Sequence, residues 1–206
     1  DEWKVVAEDV HARVGAVDVL VNNAGVGLSG GILSTPLSDW EWIVSINLWG
    51  VIYGCHFFAP RMVERGSGHI VNLSSVLGYV GAPDVLAYAT TKFAVLGFSE
   101  SLEAELAPTG VRVSTICPGV INTDIVKATR YNGVSDPAAT RDQVVAMYKK
   151  RNYGPERVAD AIAKAVLHDR SVVPVTPEAW GLYYLKRALP AVVSRLSRVV
   201  ASRAVR

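Results

Sequence analysis

Short apolar runs alternate along this chain with helix-length amphipathic runs, and that alternation decides its class. Val19-Leu20-Val21, Ile70 to Leu73, Val111 to Cys117 and Val172 to Val175 read as strands. Trp3, Val6, Val10, Val14 and Val17 recur at helical spacing ahead of the first of them. Pro36 stands near a helix start, and Trp40 to Glu64 reads as one or two long helices interrupted near Gly50 and Gly54. Leu86 to Ala107 is a long helix, and Pro155 opens another whose apolar positions are Val158, Ile162 and Val166. Strands joined through helices build a mostly parallel sheet covered on both faces. A length of 206 residues, with no internal repeat and no low-complexity linker, suits one domain.

Open parallel sheets bind ligands outside the carboxyl ends of their strands, and the chemistry-bearing residues fall there. Tyr88-Ala89-Thr90-Thr91-Lys92 puts a phenol and an ammonium on one helix face. A lysine beside a tyrosine favours phenolate and so suits acid/base work. Ser75 stands thirteen residues before Tyr88, at the end of a strand; its neighbour Ser74 reads as structural. Asn22-Asn23-Ala24-Gly25 ends the first strand, either as a ligand loop of small residues or as an ordinary strand-to-loop turn. Asn47, flanked by apolar residues inside a helix, needs a specific partner or marks a cap or kink.

Composition narrows the function classes. Half the residues are hydrophobic and 19% are charged, as in a globular chain. A net charge of +2 makes no case for nucleic acid. Two cysteines, Cys55 and Cys117, are too few for a disulfide framework, which points to a reducing cytosol, and Cys117 reads as a small buried strand residue. No uncharged apolar run reaches the roughly 18 residues of a membrane span. The histidines His11, His56, His69 and His168 lack ligand-like spacing, so they are expected on surfaces or helix faces, with no metal site.

In order, Asn22-Asn23-Ala24-Gly25, Asn47, Ser75, Tyr88-x-x-x-Lys92 and Pro118-Gly119-Val120-Ile121-Asn122-Thr123 resemble the short-chain dehydrogenase/reductase family, over about residues 1–176. The resemblance implies a Rossmann-type, doubly wound parallel sheet in three layers. It also implies hydride transfer between NAD or NADP and a carbonyl or alcohol substrate. It makes Tyr88 the acid/base, and Lys92 the group that holds the nicotinamide ribose and lowers the tyrosine's pKa. Ser75 would bond the substrate oxygen, and Asn47 would hold a water of a proton relay. Asn22, Ala24, Gly25, Pro118, Gly119, Ile121 and Thr123 would line the cofactor, together with Tyr88 and Lys92. A homodimer or homotetramer is expected through the helices at 40–64 and 86–107, with Phe93, Leu96, Leu102 and Leu106 on that face or in the core.

Members of this family open with a strand, a Gly-rich turn and a helix that takes the pyrophosphate. No such turn occurs here; Gly27, Gly30 and Gly31 follow the Asn-Asn-Ala-Gly motif instead. The expectation is a chain without the N-terminal βαβαβ part, about 60 residues. The residues separating NAD from NADP would go with it, and Val19–Val21 would become an open sheet edge.

Asp124 to Tyr153 occupies the place of a substrate cover, with Ile125, Val126, Tyr131, Val144, Val145, Met147 and Tyr148. It reads as a partly apolar lid over a bulky or hydrophobic substrate, or as a solvated amphipathic helix pair. From Ala179 onward there are six Lys or Arg and no acid, which leaves the rest of the chain net acidic. Residues 177–206 thus form a basic amphipathic tail, for peripheral contact with an anionic membrane or for packing on its own domain. Two other classes stay in view. One is a catalytically silent scaffold on the same fold. The other is a sugar-nucleotide epimerase, which shares Tyr-x-x-x-Lys but not Asn-Asn-Ala-Gly or Pro-Gly-x-x-x-Thr.

Overall fold

The computed structural model describes residues 2–204, and side chains through Arg198. The elements run in chain order as α1 (Glu2–Val14), β1 (Val19–Asn22), β2 (Leu28–Ser29), α2 (Leu37–Val44), a π-helical turn (Ser45–Trp49), α3 (Gly50–Arg65) and β3 (Gly68–Leu73). Then follow α4 (Leu86–Leu106), β4 (Val111–Cys117), α5 (Ile125–Ala128), β5 (Arg130–Tyr131), α6 (Pro137–Arg151), α7 (Glu156–Leu167), β6 (Val172–Pro174), α8 (Pro177–Ala188) and α9 (Pro190–Ala204). Among the described residues, a four-stranded sheet in the order β1-β3-β4-β6 pairs in parallel throughout.

Side chains alternate across a strand, and β3 uses both of its faces. Ile70 packs with Val51, Cys55, Ala59, Met62 and Val95 of α3 and α4. Val71 and Leu73 pack on the other side with Ala165 of α7. Helix, sheet and helix make three layers, the doubly wound arrangement that near-continuous apolar strands require. At the third corner, Tyr79 and Val80 meet Val193 of α9, and the Tyr79 hydroxyl donates to the Ala179 carbonyl at 2.7 Å. The tail therefore docks on the same body.

Several expectations need correction. β1 is apolar but not buried, and the open edge expected at Val19–Val21 is what is found: among the described residues β1 pairs only with β3, and Val19 and Val21 are 42% and 41% exposed. Val6 and Val14 face solvent, since α1 buries Ala7 instead and rests His11 edge-on against Phe58. The helices from Leu37 to Arg65 are continuous, and the irregularity is the π-turn rather than Gly50 or Gly54. That 29-residue run is long and apolar enough to cross a membrane by length and composition, which the sequence reading did not expect. Val51, Cys55, Ala59 and Met62 nevertheless commit it to the core. His69 is buried in β3, with Nε2 2.8 Å from Ser114 Oγ, and burial holds its pKa below the ordinary value. Leu106 is core, as Leu102 and Leu96 largely are, which leaves Phe93 exposed on α4.

Candidate active site

The carboxyl ends of β1, β3 and β4 converge with the amino-terminal turns of α4. Ser74 and Ser75 follow directly on β3. Ser74 Oγ donates to the Lys92 carbonyl at 2.8 Å and ties the strand end to α4. Ser75 caps a short 3-10 turn, accepting from the Leu77 amide at 3.2 Å, and its hydroxyl lies beside the Tyr88 phenol. The Val76 amide donates to Pro118 O at 2.8 Å, so the loop after β4 is fastened next to Ser75.

Tyr88 and Lys92 lie one turn apart on α4, with the Lys92 Nζ 5.7 Å from the Tyr88 ring centre. Burial pushes the phenol up to about 12, although the Ser75 hydroxyl pulls the other way and Tyr148 adds a further upward push. Desolvation of the phenolate dominates, and Lys92 is not among the groups that move this pKa. The same burial draws the Lys92 amine down to about 8. Its Nζ donates to the Leu73 carbonyl at 2.9 Å. An ammonium has three donors, and among the described residues Leu73 is the only acceptor Lys92 has. The remaining donors suit the hydroxyls of a ribose.

Asn47 is the centre of the π-turn, a widening that helices often place at functional sites. Its Oδ1 accepts from the Val26 amide at 2.8 Å, and its Nδ2 donates to the Val26 carbonyl at 3.0 Å and to Thr91 Oγ1 at 3.3 Å. The side chain thus grips both sides of one residue and holds the loop after β1 against α4. Gly25 fills the remaining gap: a methyl there would sit 3.4 Å from Asn47 Oδ1 and 3.6 Å from Lys92 Nζ.

The other cofactor-site residues fall into two groups. Asn22 turns its side chain inward, donating from Nδ2 to Asn72 Oδ1 at 2.8 Å, so Asn23 and Ala24 form the exposed part of that loop. Pro118 and Gly119 are half-buried beyond β4, Ile121 is buried, and Thr123 lines a cleft of about 420 Å³ with Val126, Lys127 and Lys149. Gly119 has no room for a side chain, because a methyl would collide with Thr176 and Glu178. Sequence reasoning missed Thr91, Asn72 and Asp39 as site supports. A polar residue inside an apolar strand was the available signal for Asn72.

Residues 1–132 match the family model for short chain dehydrogenase. The chain belongs to the short-chain dehydrogenase/reductase family. It is 43% identical over 198 residues to the "Probable oxidoreductase EphD" of Mycobacterium tuberculosis, a match that covers 94% of this chain but 33% of that relative. The chain thus spans about a third of the length of that relative. It is 37% identical over 165 residues to the 2-(R)-hydroxypropyl-CoM dehydrogenase of Xanthobacter autotrophicus, with 75% of this chain and 64% of that one covered. Among solved structures, a short-chain dehydrogenase/reductase of Burkholderia phymatum in complex with NAD superposes with a TM-score of 0.82 at 27% identity, over 92% of this chain and 72% of that one. This short-chain dehydrogenase family member has the Rossmann-type fold of that structure.

Proposed function

We propose that the chain carries the reaction centre of an oxidoreductase interconverting a carbonyl compound and its alcohol, with Tyr88 as the proton carrier. The observation behind this reading is the gathering of Tyr88, Lys92, Ser75 and Asn47 at the strand ends. A bound nicotinamide would supply or accept the hydride. Lys92, Gly25, Ala24, Asn22 and the loop Pro118, Gly119, Ile121 and Thr123 are the residues proposed to hold it. In the reducing direction, Tyr88 Oη gives its proton to the substrate oxygen, while Ser75 Oγ bonds that oxygen and stabilises its charge. A phenol kept protonated by burial suits this role. Lys92 orients the ribose, and Asn47 supports the proton's route to water by keeping the loop at Val26 in place.

An apolar or bulky substrate fits the surroundings. Trp40 and Trp42 pack in the cluster that includes Tyr88, and Tyr148 of the 124–153 segment is close enough to push the Tyr88 pKa up. Residues 1–176 would form the dehydrogenase unit, with 177–206 as a basic tail. Leu189, Val192 and Leu196 are exposed beside Arg195, which favours peripheral contact with an anionic membrane; the side chains of Val199, Val200, Arg203 and Arg206 lie outside the described ones. Trp49, Tyr53 and Phe93 are exposed on α3 and α4 and suit a homodimer or homotetramer. Two buried free thiols accord with a cytoplasmic setting.

Calorimetric titration of the chain with NADH and with NADPH tests this reading. Saturable micromolar binding that Lys92→Met weakens is the expected result. Absence of binding at millimolar cofactor would favour the silent scaffold, for which the open β1 edge is the motive.

A further inference from the structure

The segment from Asp124 to Tyr153 packs loosely for its length. α6 has no buried residue, and only Val126 is buried in α5. Its carboxyl end is tied by Arg151 to Val120 O and by Tyr153 to Val175 O; nearer its start, the fixed point is β5. There Arg130 and Tyr131 pair in parallel with Leu28 and Ser29, the Arg130 amide bonding Gly27 O at 3.2 Å and the Asn132 amide bonding Ser29 O at 2.8 Å. Gly27 is a necessary part of that seam, because a methyl on it would run into Thr129.

Asp39, in the first turn of α2, receives the side chains that flank β5. Oδ1 accepts from Arg130 at 2.6 Å and Oδ2 accepts from Asn132 at 2.7 Å. The Arg130 guanidinium also lies 3.6 Å from the centre of the Trp42 ring. The carboxylate is only 14% exposed and Arg130 46%, so the pair is shielded on the acidic side. Asn132 first, then Arg130, holds the Asp39 carboxyl below its ordinary pKa against an opposing burial effect. A forked acceptor, a stacked cation and a backbone ladder converge on one spot. Trp42 belongs to the same cluster as Leu28, Ala87 and Tyr88. The contact is therefore joined through Trp42 to the cluster that holds Tyr88.

We infer that Asp39 is a positioning residue, the keeper of a latch in which Arg130 and Asn132 fasten the 124–153 cover to α2, beside the cluster that contains Tyr88. A cover with few buried apolar contacts opens at low cost, so a charge-assisted pair is enough to set how often it opens. Covers of this kind commonly gate substrate entry and product release. The kinetic consequence rests on the oxidoreductase reading; the structural one does not.

Amide hydrogen exchange on the full chain tests the latch without any turnover. In Arg130→Ala and Asp39→Asn, amides of residues 125–135 are expected to exchange about tenfold faster, because bonds to charged groups are worth that much, while β3 and β4 are unchanged. Arg130 is half-exposed, so its variant keeps the fold even if the Asp39 variant does not. Equal exchange of the segment in wild type and both variants would overturn the inference, as would uniform acceleration that includes β3 and β4. With a ketone that the wild type reduces, KM is expected to rise about tenfold in both variants while kcat stays within about twofold. A fall in kcat at constant KM would contradict a positioning role. If the wild type reduces no ketone at all, the oxidoreductase reading fails and the exchange result still decides the latch.

Discussion

Replacing Asn72 by alanine should destabilise this domain more than its one side chain suggests. Asn72 is fully buried in β3, on the face toward α3 and α4. Its Oδ1 accepts from Asn22 Nδ2 at 2.8 Å, and its Nδ2 donates to Ser99 Oγ at 2.9 Å. Ser99 then donates to Val95 O at 2.7 Å, while Asn22 Nδ2 also lies 3.4 Å from Cys55 Sγ. One amide thus ties β1, β3, α3 and α4 together inside an apolar layer. Removing it leaves the Asn22 amide without its oxygen acceptor, which costs about 1–3 kcal/mol for a buried donor. A small cavity adds to this, for roughly 2–5 kcal/mol in all. Urea unfolding followed by circular dichroism measures that loss directly, and the melting point should fall by roughly 5–15 °C. Asn22→Ala should cost less, and the double variant less than the sum, by about 1–2 kcal/mol of coupling. A loss under about 1 kcal/mol in Asn72→Ala, or strict additivity, would refute the reasoning that this network holds the edge strand.

Two further outcomes follow from the site. Lys92 is drawn from an ordinary 10.5 to about 8, so between these values the unfolded chain binds the extra proton and stability should climb with pH. Lys92→Met should abolish the rise in urea midpoint between about pH 8 and about pH 9, below the range where the raised Cys55 and Cys117 thiols, and then Tyr88, contribute the opposite slope. Gly25→Ala places a methyl between Asn47 and Lys92 without a forbidden backbone angle. It should weaken NADH binding about tenfold or more while the melting point moves little, as calorimetry and thermal unfolding would show.

Much of this fold was legible from periodicity. The run Val111–Cys117 coincides with β4, and Leu86–Ala107 with α4 to within a residue. A structural part for Ser74 was expected from its neighbour's offset to Tyr88, and Ser74 Oγ does bond the Lys92 carbonyl. What spacing did not reveal depends on contacts between residues far apart in the chain. Asn72 looked like one polar residue in a strand, because its partners lie on β1 and α4. Asp39 and Arg130 are 91 positions apart and carry no local signature. The π-turn at Asn47 arises from a tertiary grip on Val26, which no helical periodicity encodes. Val6 and Val14 misled because an apolar stripe predicts burial only where a neighbour covers it. Leu106 stood open between core and interface, since the same stripe serves either, and it packs in the core.

The central claim is that Tyr88 delivers the proton during hydride transfer, and one comparison tests it. Wild type and Tyr88→Phe would each be mixed with deuterated NADPH or NADH and an apolar ketone, and deuterium on the carbinol carbon of the product would be followed by mass spectrometry. The account predicts deuterated alcohol from wild type and a rate at least about 100-fold lower in Tyr88→Phe, the usual worth of a positioned acid, with cofactor affinity retained. Equal deuterium transfer by the two proteins would contradict it.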